Sequence, residues 1–221
     1  MCARIALYGG TFDPVHIGHI EIARSVAQLF EIEKVVFVPA QMAPHKIGWP
    51  VTPSVHRYAM LALATQNDPQ LSISTFELDD PDRRYTVDTV AHFQRVLGDE
   101  TELFFIMGAD SWSEITTWRE WERLLTMTNH IVVTRPGYDP ATTHVGALGE
   151  RIVDLRGMDI SRKGAKAQRK TQSIFFTDAV MKDVSATRSR QLASDGRYEE
   201  LTDLLPPAVL EYIKKYRIYK N

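Results

Sequence analysis

The chain has 221 residues and a formal net charge of −2, with acidic and basic residues interspersed along its length. That balance gives no global attraction to a polyanion and disfavours a general nucleic-acid binder, while a hydrophobic share of 44% is enough to bury a sizeable core. Apolar runs stay well short of the roughly 20 residues of a membrane-spanning helix, so no membrane partner is expected. The single Cys2 and an N-terminus that enters an apolar strand without a signal-peptide pattern fit a reducing cytoplasm.

In chain order, strand-length apolar runs fall at residues 5–8, 35–38, 71–76, 103–107, 131–134 and 174–177, several of them rich in β-branched or aromatic residues. Helical patterns lie between them. Ile20, Ala23, Ala27 and Phe30 recur every three or four residues, and residues 55–64 follow Thr52-Pro53 as a capped helix with proline in its first turn. Strand and helix alternate, which predicts a parallel sheet covered by helices on both faces, with ligands at the carboxyl ends of its strands. Residues 137–172 contain Ser161-Arg-Lys-Gly-Ala-Lys-Ala-Gln-Arg-Lys170, show weak periodicity and read as a variable surface excursion. From Val184 the chain is expected to be helical, with a turn at Leu205-Pro206-Pro207 and an amphipathic close through Val209, Leu210, Ile213 and Tyr216. This gives a nucleotide-binding unit over 1–183 and a helical part over 184–221 packed on the same domain.

The most informative stretch follows the first strand: Gly9-Gly-Thr-Phe-Asp-Pro-Val-His-Ile-Gly-His19. Glycines at positions 9 and 10 allow the backbone to approach a ligand, Thr11 adds a hydroxyl, and Gly18 clears a helix entrance. Free N–H groups and the dipole at a helix N-terminus favour an anion, placing phosphates above His16 and His19, whose spacing puts both imidazoles on one side. Either histidine alone would more often be an ordinary surface or core residue. Together, at this position, they point to phosphate chemistry.

This stretch resembles the signature of the adenylyltransferase and cytidylyltransferase superfamily. Its His16-Ile-Gly-His19 is also similar to a motif of class I aminoacyl-tRNA synthetases, but their second, lysine-rich signature has only a poor counterpart at Ser161-Arg-Lys-Gly-Ala-Lys166, and the chain is short for their modules. Pro39-Ala-Gln-Met-Ala-Pro-His-Lys46, Arg84-Tyr-Thr-Val-Asp-Thr89, Phe105-Ile-Met-Gly-Ala-Asp-Ser111 with Trp118, and Val184-Ser-Ala-Thr-Arg-Ser-Arg190 follow in an order similar to that of bacterial nicotinate mononucleotide adenylyltransferases.

The resemblance implies a Rossmann-like doubly wound parallel sheet with a small C-terminal helical part, and transfer of AMP from ATP to nicotinate mononucleotide. Catalysis would fall to His16, His19 and Arg190. ATP would meet Gly9, Gly10, Thr11, Phe12, Gly18, Gly108, Asp110, Ser185 and Thr187 as well, with Asp110 suited to ribose hydroxyls and Arg190 to the β- and γ-phosphates. On the acceptor side, Trp118 would stack on the pyridine ring, Thr86 with nearby backbone N–H groups would hold its carboxylate, Tyr85 would also bind this substrate, and His45 and Lys46 would serve phosphate groups. Mg²⁺ is implied as a companion of ATP, with water and phosphate oxygens as ligands and no protein metal site. Two departures are Arg84, where a small polar residue is usual, and Ser189, where an apolar residue is usual; the second leaves Arg188 competing with Arg190. The implied alternatives are another phosphorylated acceptor, such as phosphopantetheine or nicotinamide mononucleotide, a silent nucleotide sensor, or a domain acting only through protein contacts. The sequence leaves room for a homo-oligomer.

Overall fold

A computed structural model describes residues 2–41, 51–79, 85–134, 143–157, 172–178 and 184–220. Its strands are β1 (Ala3–Gly10), β2 (Lys34–Pro39), β3 (Leu71–Ile73), β4 (Thr101–Gly108), β5 (Asn129–Val133), β6 (Ile152–Asp154) and β7 (Ile174–Thr177). They form one parallel sheet in the order β3-β2-β1-β4-β5-β7-β6. From β1 the chain steps outward through β2 to β3, then returns to the other side of β1 at β4. The reversal between β1 and β4 opens a crevice outside their carboxyl ends.

The helices are α1 (Ile17–Leu29), α2 (Ser54–Thr65), α3 (Thr86–Leu97), α4 (Ala109–Ser113), α5 (Trp121–Met127), α6 (Ala186–Ser194) and α7 (Pro207–Tyr216). Alternation along the strands divides the core. Ala6 and Tyr8 of β1 and Phe104 and Ile106 of β4 pack with Val26 of α1, Met60 of α2 and Ile213 of α7. On the opposite face, Leu7, Phe105 and Met107 pack with Val90 of α3 and Leu124 of α5. Both faces are therefore apolar, which explains the near-continuous apolar runs, and each large side chain so buried contributes about 1.5–3 kcal/mol. Among the described residues no helix is long and apolar enough to cross a membrane.

Four local departures from the sequence expectation have physical causes. β3 stops at Ile73 rather than residue 76, because the Ser74 hydroxyl accepts the Phe76 N–H and Thr75 O accepts the Asp79 N–H, curling the chain into turns. In α2, Pro53 occupies the N-cap position, outside the first turn. Residues 137–172 are more than surface excursion: a 3₁₀ stretch, Thr143–Arg151, carries the buried Val145, and β6 adds an edge strand beside β7. Three residues, Ile152-Val-Asp154, are too few for a readable alternation. The chain beyond Val184 is interrupted between α6 and α7, and after α7 it reverses at Arg217, whose φ of 52° is left-handed, burying Ile218 and directing Tyr219 back toward the β1–α1 loop.

Candidate active site

At the switch point lies a cavity of about 530 Å³, reaching from Gly9 and Gly10 of β1 past Val38 and Ala40 after β2 to Met107 and Gly108 of β4. Its volume is in the range of small-ligand sites. Another cavity of similar volume lies near the amino ends of β4 and β5, among Gln94, Glu102 and Asn129.

The end of β1 is shaped by aromatic packing. A Cβ at Gly9 would stand 2.8 Å from the Phe105 ring, and one at Gly10 would stand 2.8 Å from the Phe12 ring. Both glycines are thus required by neighbouring protein rings, a cause that phosphate contact alone does not anticipate. Phe12 has a φ of 50°, an uncommon conformation for a side-chain-bearing residue, and its ring packs against Tyr8, His19 and Phe37. Its side chain belongs to the core.

His16 is the N-cap of α1 and is 7% exposed, with its ring stacked on that of His19 at 3.6 Å between centroids. The His16 backbone N–H donates to His19 Nδ1 at 3.2 Å. Burial, reinforced by the neighbouring His16, pushes the His19 pKa well below its ordinary value. His19 is therefore neutral near pH 7, and because Nδ1 accepts, its proton resides on Nε2. His19 lines the cavity, whereas His16 is absent from the lining and supports it from behind. Gly18 has a role close to the expected one: a Cβ there would stand 3.2 Å from His16 Nδ1. The Ile17 N–H donates to Leu204 O, so one amide of this helix end is already satisfied by protein.

Across the cavity, Tyr85 caps α3 and Thr86 opens it. Trp118 stands edge-on to Phe105, half-buried, and its Nε1 has no hydrogen-bond partner among the described residues. Arg119, unremarked in the sequence reading, lays its guanidinium 4.8 Å from the Tyr85 ring centroid and lines the same cavity. Asp110 and Gly108 also face it, and Gly108 has open space where a Cβ would be.

Ser185, Thr187 and Arg190 lie outside this lining, on α6. The Ser185 hydroxyl caps the helix by accepting the Arg188 N–H at 3.4 Å. Ser189 is buried and donates to Ser185 O, which leaves Arg188 exposed and turns Arg190 inward. Arg190 Nη1 donates to Asp13 O at 2.7 Å and Nη2 to Thr187 Oγ1 at 3.2 Å, so Arg190, not Arg188, reaches the β1–α1 loop. Two residues without an assigned role in the sequence reading, Arg57 and Tyr219, converge on that loop, the second at Asp13, which also had none. Only the Asp13 position, inside the glycine-rich stretch, offered a local clue. The expected sites His45 and Lys46, and the departure Arg84, lie outside the described residues.

The structure thus brings Gly9, Gly10, Thr11, Phe12, His19, Tyr85, Thr86, Gly108, Asp110 and Trp118 around one cavity, and holds His16, Gly18, Ser185, Thr187 and Arg190 outside its lining. No group of three or more His, Cys, Asp and Glu capable of holding a metal occurs among the described residues.

The profile of the cytidylyltransferase-like family matches residues 7–192. A protein of Thermoanaerobacter sp. (strain X514) named "Probable nicotinate-nucleotide adenylyltransferase" is 37% identical over 99% of this chain and 95% of its own length. A protein of the same name from Symbiobacterium thermophilum is 38% identical, over 98% of this chain and 95% of its own. Among solved structures, the nicotinic acid mononucleotide adenylyltransferase of Plasmodium falciparum complexed with NaAD superposes with a TM-score of 0.73 at 18% identity, covering 98% of this chain and 97% of that one, and shares the fold. With matches that run essentially end to end, this chain belongs to the cytidylyltransferase-like family and, within it, to the nicotinate-nucleotide adenylyltransferases.

Proposed function

We propose that the chain transfers the adenylyl group of ATP to the 5′-phosphate of nicotinate mononucleotide, giving nicotinate adenine dinucleotide and pyrophosphate. The observation that carries this reading is one cavity joining His19, at the start of α1, to Tyr85, Thr86 and Trp118, at the start of α3 and beside it. The first end suits phosphates and the second a flat ring bearing a carboxylate.

In the reaction an oxygen of the acceptor phosphate attacks the α-phosphorus of ATP, the bond from that phosphorus to the bridging oxygen of the β-phosphate breaks, and its electron pair leaves with pyrophosphate. The acceptor phosphate is largely ionised near neutral pH, so no general base is required. His19, neutral with its proton on Nε2, donates a hydrogen bond to the transferring phosphate without an unfavourable change of protonation. His16 fixes that ring through its backbone N–H and by stacking. Arg190 neutralises charge on the β- and γ-phosphates, and Ser185 and Thr187 hold the turn from which it projects. Trp118 stacks on the pyridinium, while the amide end of α3 and Thr86 receive its carboxylate. Arg119 adds a positive charge beside them. Mg²⁺ would fit as an ion carried by the triphosphate, since it readily keeps phosphate and water ligands, and Asp110, on the lining, would accept from ribose hydroxyls. When bound it supplies further neutralisation of phosphate charge.

Incubating the purified chain with ATP, Mg²⁺ and nicotinate mononucleotide tests the reading by mass analysis of the product. Equimolar dinucleotide and pyrophosphate are expected. ATP binding without either product would replace the reading with that of a nucleotide sensor.

A further inference from the structure

Asp13 is buried at 5% exposure and uses three of its oxygens. Oδ1 accepts the Tyr219 hydroxyl at 2.6 Å, Oδ2 accepts the Thr52 N–H at 3.1 Å, and the carbonyl accepts Arg190 Nη1 at 2.7 Å. Beside it Arg57, only 1% exposed, donates to three carbonyls: Nη1 to Thr11 at 2.8 Å, Nε to Thr52 at 2.9 Å and Nη2 to Gln41 at 3.2 Å. The two side chains connect the β1–α1 loop, the segment after β2, the start of α2 and the last residues of the chain, and the main-chain carbonyl of Asp13 adds α6 through Arg190.

A buried carboxylate is costly unless its oxygens are hydrogen-bonded and its charge is balanced. Tyr219 and Thr52 satisfy the first condition, and the buried Arg57 supplies the second. Burial and the adjacent carboxylate push the Tyr219 phenol above its ordinary range, so it remains a donor. Holding Tyr219 here takes a left-handed residue at Arg217 and a second at Tyr219 itself, with φ of 52° and 72°. Ile218, already buried, would anchor the tail without that second reversal. The consequence is at Arg190, whose flexible side chain is aimed by Asp13 O and Thr187 Oγ1 before any substrate arrives, which removes much of the ordering cost of binding.

We propose that Tyr219 is a positioning residue for adenylyl transfer: through the Asp13 carboxylate it fixes the β1–α1 loop and, with it, the guanidinium of Arg190. The inference rests on the reading of Arg190 as a ligand of the triphosphate.

Tyr219→Phe keeps the ring and removes the hydroxyl. In steady-state kinetics with each substrate varied in turn, kcat/KM for ATP falls about tenfold or more, while KM for nicotinate mononucleotide stays within about twofold. In an Arg190→Ala background the same substitution costs less than about twofold, because the route through Arg190 is already lost. An unchanged kcat/KM for ATP overturns the proposal, as does an equal loss in both backgrounds. If the Phe variant does not fold by circular dichroism, a chain ending at Ile218 carries the same expectation and the same contrary outcomes. Should the unaltered chain release no pyrophosphate, the reading of the reaction fails by itself. The role of Tyr219 is then decided by calorimetric ATP affinity, about tenfold weaker in Tyr219→Phe if the proposal holds and unchanged if it does not.

Discussion

His19 shows how a motif that is readable in sequence becomes a mechanism only with geometry. The spacing His16-x-x-His19 places two imidazoles on one side of a helix start, but the structure gives them unequal tasks: one ring faces the cavity and the other stacks beneath it. His19→Ala removes a single preorganised donor and is expected to lower turnover by about 10²-fold. A stopped assay of dinucleotide formation checks this, and turnover near that of the unaltered chain would remove His19 from the chemistry. Gly9 and Gly10 carry a second lesson. Their need for the absence of a Cβ was legible, but its cause, the rings of Phe105 and Phe12, was not, since one partner lies on β4, nearly a hundred residues away. Arg57 and Tyr219 were illegible for the same reason. An arginine in a helical pattern and a tyrosine near the chain end acquire meaning only where the fold brings them to Thr11 and Asp13.

At the scale of elements, two helix starts face one crevice and divide the substrates between them. In the proposed reaction the α1 end would serve phosphates through His19, and the α3 end, with Trp118 and Arg119 on the same lining, would serve the ring of the acceptor. Trp118→Ala is expected to raise KM for nicotinate mononucleotide more than KM for ATP; an equal rise in both would mark the indole as structural. Arg119 is 56% exposed, so solvent weakens its attraction for a ring carboxylate. Arg119→Gln should therefore reduce the preference for nicotinate over nicotinamide mononucleotide by only about three- to tenfold, read as the ratio of the two kcat/KM values. An unchanged ratio assigns acid preference wholly to the α3 amide end. The elements themselves were readable where they are long and periodic, as α1 and β4 are. β6 was missed because three residues at a sheet edge show no periodicity, and β3 was overextended because its apolar run continues into hydrogen-bonded turns.

In the molecule as a whole, parallel strands with both faces covered bury polar groups along with apolar ones, and this makes stability depend on pH. His130 lies fully buried in β5 with Nδ1 donating to Thr128 O, and burial pushes its pKa down to about 3. His19 is shifted in the same direction. Below about pH 6.5 the unfolded chain takes up protons that the folded chain refuses, so stability is complete above that pH and is lost as pH falls toward 3. Each histidine contributes at most about 1.4 kcal/mol per pH unit to the slope. Urea unfolding between pH 7 and 5, above the ordinary carboxylate range, should show this decline, and His130→Gln should make it shallower; equal slopes would place the dependence elsewhere. The doubly wound architecture was legible as alternation, and the motifs at strand ends pointed to residues that line one cavity, but the convergence of the C-terminal tail on the β1–α1 loop is a property of the complete fold. That fold is held here to bring ATP and an acidic pyridine mononucleotide together in one cavity. The most direct test is pyrophosphate release from ATP and Mg²⁺ with nicotinate mononucleotide, nicotinamide mononucleotide or phosphopantetheine offered separately. Release fastest with the nicotinate acceptor is predicted, whereas release only with another acceptor, or with none, would contradict the account.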